Sequence, residues 1–105
     1  MKSLAFGLLK GGVGKTTLTG NVGRLMADAG RRVLMVDADY QGSLSSWLLR
    51  QAPEHELAEV LQGKIGLEAA TVPLGGSLAI LPSYGVDCVC CCECCCECCC
   101  VCCCV

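Results

Sequence analysis

The stretch of this chain whose residue types and order could do chemistry is Lys10-Gly11-Gly12-Val13-Gly14-Lys15-Thr16-Thr17. Glycines let a backbone curl so that successive N–H groups converge on one point with little steric bulk. A lysine at the end of such a loop supplies a mobile positive charge, and a hydroxyl beside it can ligate magnesium. If a helix starts there, its free N–H groups and dipole add further attraction for negative charge. The chemistry is phosphate binding, shared among all eight residues from Lys10 to Thr17. The spacing is a variant of Gly-x-x-x-x-Gly-Lys-Thr. Counting back from Gly14-Lys15-Thr16, the first glycine would fall at Leu9, and the loop has Lys10-Gly11-Gly12 instead.

A second candidate group is Asp37-Ala38-Asp39, directly after the apolar run Val33-Leu34-Met35-Val36. Acids at the end of a buried strand lie at the sheet edge where ligands bind in open α/β folds. The elements around both groups follow from their patterning. Residues 3–9 are short and almost wholly apolar, which predicts a strand covered on both faces. From Lys15 to Ala29, Leu18, Val22, Leu25, Met26 and Ala29 recur at spacings of three and four, predicting a helix with one apolar stripe toward the core. Gly30 stops it. Residues 44–49 predict a short helix capped by Ser43, with Trp47, Leu44, Leu48 and Leu49 packing it on the body. A further short helix is expected over 55–62, stopped by Gly63, with His55 solvated. Gly75-Gly76 predict a turn, and residues 78–81 a third strand ending at Pro82. The order strand, loop, helix, strand, short helices, strand predicts an α/β fold of P-loop nucleotide-triphosphatase type, with a mostly parallel sheet and flanking helices.

The bulk numbers divide the chain in two. Residues 1–87 carry all 8 Lys and Arg and 8 of the 10 acids, so this part is formally neutral; residues 88–105 hold all 13 cysteines. No basic footprint for nucleic acid is visible. The opening apolar run leads into the glycine loop with no small-residue cleavage site, so a buried strand explains it better than a secretory signal. No stretch is long and apolar enough to span a membrane as a helix. A cysteine-free body fits a reducing, cytoplasmic setting.

With these residues in place, the chain resembles the deviant-Walker P-loop ATPases of the ParA/MinD partition group. The resemblance rests on KGGVGKTT, Asn21, the AG-x-x-VLMVDAD segment, Gln41-Gly42-Ser43-Leu44 and the later LAEVLQG…TVPLGGSLAILPS stretch, and covers roughly residues 3–84. It implies ATP and Mg2+ as ligands. Lys15 would hold the β- and γ-phosphates, Thr16 would ligate magnesium and Thr17 would contact the α-phosphate. Lys10 matches the lysine that reaches across a nucleotide-dependent homodimer to the other subunit's ATP. Asp39 matches the acid needed for hydrolysis, and Asp37 would support the magnesium shell through water. Lys10, Lys15 and Asp39 are thus the implied catalytic residues. A partition partner protein and DNA are implied by the resemblance alone. Two departures stand out. Tyr40 occupies a position where the group commonly has proline. The group's next motif, a strand ending in an acid followed by proline, does not follow Pro82-Ser83-Tyr84. The resemblance therefore implies residues 1–87 as the N-terminal part of an ATPase domain, with hydrolysis requiring the downstream part.

The remaining segment, residues 88–105, repeats every four residues: Val89, Glu93, Glu97 and Val101 are each followed by three cysteines. Such regularity is low complexity, and no stable fold is expected of it. Two further readings stand beside the ATPase. One is a truncated or frameshifted product that binds phosphate without catalysis. The other is a metal-thiolate protein, since 13 thiols could hold zinc or Cu(I), although runs of adjacent cysteines suit tetrahedral sites poorly.

Overall fold

A computed structural model describes residues 2–7, 14–39, 41–83 and the backbone of 101–104. Its elements in chain order are β1 (Leu4–Gly7), α1 (Lys15–Asp28), β2 (Val33–Val36), α2 (Ser43–Leu48), α3 (Leu57–Leu61), α4 (Leu67–Ala70), β3 (Val72–Gly75), β4 (Leu78–Leu81) and β5 (Val101–Cys104). The strands form one sheet in the order β1-β5-β2-β4-β3.

The apolar run Val33–Val36 becomes β2 within the expected bounds and pairs in parallel with β4, Val33 opposite Leu78 and Val36 opposite Leu81. β5 is antiparallel to both β1 and β2, so β1, β2 and β4 share one direction, as a βαβ unit demands. β3 also runs against β4, so only β2–β4 of the described pairings is parallel and the sheet is mixed rather than mostly parallel as expected, the antiparallel β3 and β5 being the strands that patterning misses. Sequence patterning misses β3 because Pro73 sits inside it. An edge strand tolerates a proline, and β3 ends the sheet. The turn at Gly75-Gly76 joins the two strands as expected, both glycines taking positive φ. α4 is also missed, being only four residues long.

Val33, Met35, Leu44, Leu78 and Ile80 form the buried core, with Phe6, Ala27, Leu48, Leu49, Val72 and Leu74 packed against it. Full burial of a side chain such as Met35 or Ile80 contributes about 1.5–3 kcal/mol relative to exposure. β1 differs from expectation. Leu4, Ala5 and Gly7 are exposed and Phe6 is half-buried, because β1 is the other edge of the sheet rather than an interior strand.

The face that α1 turns inward also differs. Its buried residues are Thr19, Gly20 and Gly23, while Leu18, Leu25, Met26 and Ala29 of the apolar stripe are exposed and Val22 is half-buried. Close approach decides this. A Cβ on Gly23 would come within 2.7 Å of Met35 Sδ, and one on Gly20 would collide with the Trp47 ring. The glycines bring the helix onto β2 and α2 at a distance that larger side chains forbid. Met35 is wholly buried, so its side chain gives way only by shifting within the core. Gly23→Ala is therefore expected to destabilise by about 1–2 kcal/mol, overpacking outweighing alanine's helix propensity. Denaturant unfolding checks this; a stabilised variant would contradict the packing.

α1 ends as expected: Gly30, at φ 84°, follows the cap residue Ala29. α2 begins differently. Gly42, at φ 60°, is its N-cap; Ser43 is the first helical residue and makes no side-chain capping bond. Leu44 is buried as expected, whereas Trp47 is half exposed over Gly20. α3 is shorter than 55–62, and the Glu59 carboxylate accepts the Glu56 N–H at 3.0 Å. Gly63 follows it at φ 73°. His55 is half-buried rather than solvated, with Nδ1 3.3 Å from Glu59 Oε2. The tail, expected to be irregular, supplies β5. The facing edges of β1 and β2 would otherwise leave backbone N–H and C=O groups without ladder partners.

Candidate functional site

Lys15, Thr16 and Thr17 are the first three residues of α1. Their N–H groups precede any carbonyl four residues back in the helix, so they are the donors a helix leaves open at its start. Gly14 holds φ at 83°, a turn that only glycine makes without strain, and its carbonyl accepts the Leu18 N–H at 2.8 Å. Two side chains fasten this first turn: Thr19 Oγ1 donates to the Lys15 carbonyl and Asn21 Nδ2 to the Thr17 carbonyl, both at 2.8 Å. Lys10, Gly11, Gly12 and Val13 fall outside the described residues, as do Tyr40 and the side chains of 88–105.

The second candidate group meets the first. Lys15 Nζ lies 3.6 Å from Asp39 Oδ2, with the two side chains only 11% and 12% exposed. The end of β2 and the start of α1 thus bring a nearly buried cation and anion together. The other Asp39 oxygen accepts the Gln41 N–H at 3.0 Å, which shapes the turn into α2.

Asp37 is wholly buried. Its Oδ1 accepts the Asp39 N–H at 3.2 Å, and its Oδ2 accepts both the Ser45 N–H at 2.8 Å and the Ser45 hydroxyl at 2.5 Å. Burial pushes its carboxyl above the ordinary value of 3.8, with the Ser45 hydroxyl the strongest of the opposing hydrogen bonds. Asp37 therefore does for α2 what Ser43 was expected to do, from eight residues before Ser45. Ser45 and Ser83 are site residues that sequence reasoning missed. Ser83 N–H donates to Ser45 Oγ at 2.9 Å. The only local signal was that Ser45 is the third residue of α2, whose N–H a capping acceptor takes.

Thr16 and the two aspartates offer the hydroxyl and carboxylate oxygens that suit a hard cation such as magnesium. Among the described residues, no three His, Cys, Asp or Glu side chains cluster to hold a metal by themselves. None of the described helices is long and apolar enough to cross a membrane.

Residues 4–87 match the CobQ/CobB/MinD/ParA nucleotide binding domain. The chain belongs to this family. Among relatives of the family, it is 38% identical over 74 residues to the antiactivator FleN of Pseudomonas aeruginosa, covering 70% of this chain and 26% of FleN. It is 38% identical over 94 residues to the chromosome-partitioning ATPase Soj of Treponema pallidum, covering 70% of this chain and 37% of Soj. Its fold resembles that of cobyrinic acid a,c-diamide synthase from Mycobacterium smegmatis with bound ATP analogue and magnesium. The TM-score is 0.69 at 36% identity, over 75% of this chain and 33% of the synthase chain. The chain thus spans between about a quarter and two fifths of the length of these proteins. The resemblance read from KGGVGKTT and the VLMVDAD segment is borne out, and so is the P-loop α/β fold.

Proposed function

We propose that the chain binds ATP with magnesium, residues 1–87 acting as part of an ATPase domain of the partition type and residues 88–105 as a tail. The observation that carries this is the Lys15–Asp39 pair: a near-buried ammonium at the open end of α1, held by an acid from the end of β2. A lone ammonium beside free helix N–H groups is a site for phosphate oxygens, and Asp39 holds the same ammonium when no phosphate does. In this reading the backbone N–H groups of Gly11, Gly12, Val13 and Gly14 surround the phosphates. Lys15 holds the β- and γ-phosphates, Thr16 ligates magnesium and Thr17 contacts the α-phosphate. Lys10 reaches the nucleotide of a second copy in a nucleotide-dependent homodimer. Asp39 orients the attacking water and Asp37 supports the magnesium shell through water. Magnesium, when bound, neutralises charge on the phosphate oxygens. We assign the protein to the cytoplasm, with a partition partner protein and DNA as its further contacts.

Two results bear on turnover. Magnesium-dependent phosphate release from ATP, lost in Lys15→Ala, supports an ATPase. Binding without release favours the second reading, phosphate binding alone. A chain that neither binds nor releases would overturn both.

The pair also sets a sign. Asp39 competes with phosphate for Lys15, so Asp39→Asn is expected to tighten ATP binding about three- to tenfold while removing any phosphate release. Competition of unlabelled ATP against a fluorescent analogue measures it. Weaker binding in Asp39→Asn would show that Asp39 assists the nucleotide rather than competing with it.

A further inference from the structure

We propose that Ser45 is a positioning residue for the Asp39–Lys15 pair, and that it ties this pair to the end of β4. Ser45 is 2% exposed and lies on α2. Its hydroxyl has one proton and its oxygen accepts the Ser83 N–H at 2.9 Å. That contact leaves the proton for Asp37 Oδ2 at 2.5 Å, where the Ser45 N–H also arrives at 2.8 Å. With Oδ2 held twice, the carboxylate plane is set, and Oδ1 is turned to the Asp39 N–H at 3.2 Å. The Asp39 backbone then places its side chain 3.6 Å from Lys15 Nζ. Ser83 follows Pro82, whose carbonyl accepts the Leu57 N–H at 2.8 Å, so the start of α3 is fastened to the same strand end. One line of contacts therefore runs from the end of β4 through Ser45, Asp37 and Asp39 to Lys15. Ser45, Asp37 and Asp39 are all buried, and hydrogen bonds in a buried network strengthen one another.

The meaning of the pair for phosphate rests on the function proposed above, but the contacts can be tested without nucleotide. The full chain is treated with a limiting amine-acetylating reagent, and the acetylated fraction of each lysine is read by mass spectrometry. Asp39→Asn and Ser45→Ala are each expected to raise acetylation of Lys15 about threefold, with Lys2 and Lys64 unchanged. Ser45→Ala added to Asp39→Asn is expected to raise it no further, because Ser45 acts through Asp39. Ser45→Cys, of similar size with a weaker donor, is expected to fall between wild type and Ser45→Ala. If Ser45→Ala does not fold, Ser45→Cys alone decides. Unchanged Lys15 acetylation in the folded Ser45 variants, an equal rise at Lys2 and Lys64, or an additive effect in the double variant would each overturn the proposal. The same cycle read as ATP affinity should show a Ser45→Ala shift that disappears in the Asp39→Asn background. A chain that binds no ATP would sink the proposed function and leave the acetylation result standing.

Discussion

Asp37→Ala is expected to lower the free energy of unfolding by about 3 kcal/mol, the cost of emptying a buried acceptor that serves three donors. The Ser45 and Asp39 N–H groups that Asp37 satisfies lie in a region where Ser45 is 2% and Asp39 9% exposed, so water does not readily replace it. α2 would lose its N-terminal acceptor at the same time, since Ser43 makes no side-chain cap. Asp37→Asn keeps the shape and one accepting oxygen, but it turns an amide donor toward donors, so a smaller loss is expected. The pH dependence has a definite sign. Burial raises the folded pKa of Asp37 above the unfolded 3.8. Between the two values the folded state binds more protons than the unfolded chain, so Asp37's contribution falls as pH rises through that window and is complete below it. Glu59 acts oppositely. The Glu56 N–H, first among its causes, lowers its pKa, so its contribution is lost on acidification. Asp37→Asn should remove the first trend and leave the second. Denaturant unfolding at several pH values checks both; an Asp37→Ala variant as stable as wild type would show that α2 is not held this way.

Lys15→Ala carries the other large effect. The ammonium is the only described side-chain cation paired with Asp39, and it stands at the open end of α1. A charge-assisted contact to phosphate is worth about 1.5–3 kcal/mol, so its loss is expected to weaken ATP binding by about 10- to 100-fold. The same change leaves Asp39 nearly buried without a cation, and a further loss of about 1 kcal/mol in folding stability is expected. Lys15→Met, which keeps the length of the chain without its charge, should reproduce the binding loss. If Lys15→Met bound ATP as wild type does, the ammonium would not be the phosphate group's partner.

What could be read beforehand depended on how local the cause was. Lys15, Thr16 and Thr17 announced themselves because glycine, lysine and hydroxyl stand side by side, and the structure puts them on the first turn of α1. β2 and the stop at Gly30 were legible for the same reason: an apolar run and a glycine act within a few residues. The inward face of α1 was hidden, because apolar periodicity sees Leu18 and Leu25 but not the close approach that Gly20 and Gly23 permit. Ser45 was hidden because its partners, Asp37 and Ser83, lie 8 and 38 residues away in sequence. β5 was hidden because a cysteine repeat has no strand pattern; its pairing comes from the edges that β1 and β2 present. Lys15–Asp39 lies between these cases. Each residue was singled out alone, and the fold supplied their meeting.

In the proposed function, the start of α1 and the loop before it bind the phosphates of a nucleotide. Isothermal titration of the full chain with ATP, and separately with adenosine, both with magnesium present, tests it most directly. Saturable binding of ATP with no detectable binding of adenosine is the result predicted, because the Lys15 ammonium and the open N–H groups at the start of α1 attract phosphate oxygens and not the base. Equal binding of the two, or no binding of ATP, would contradict it.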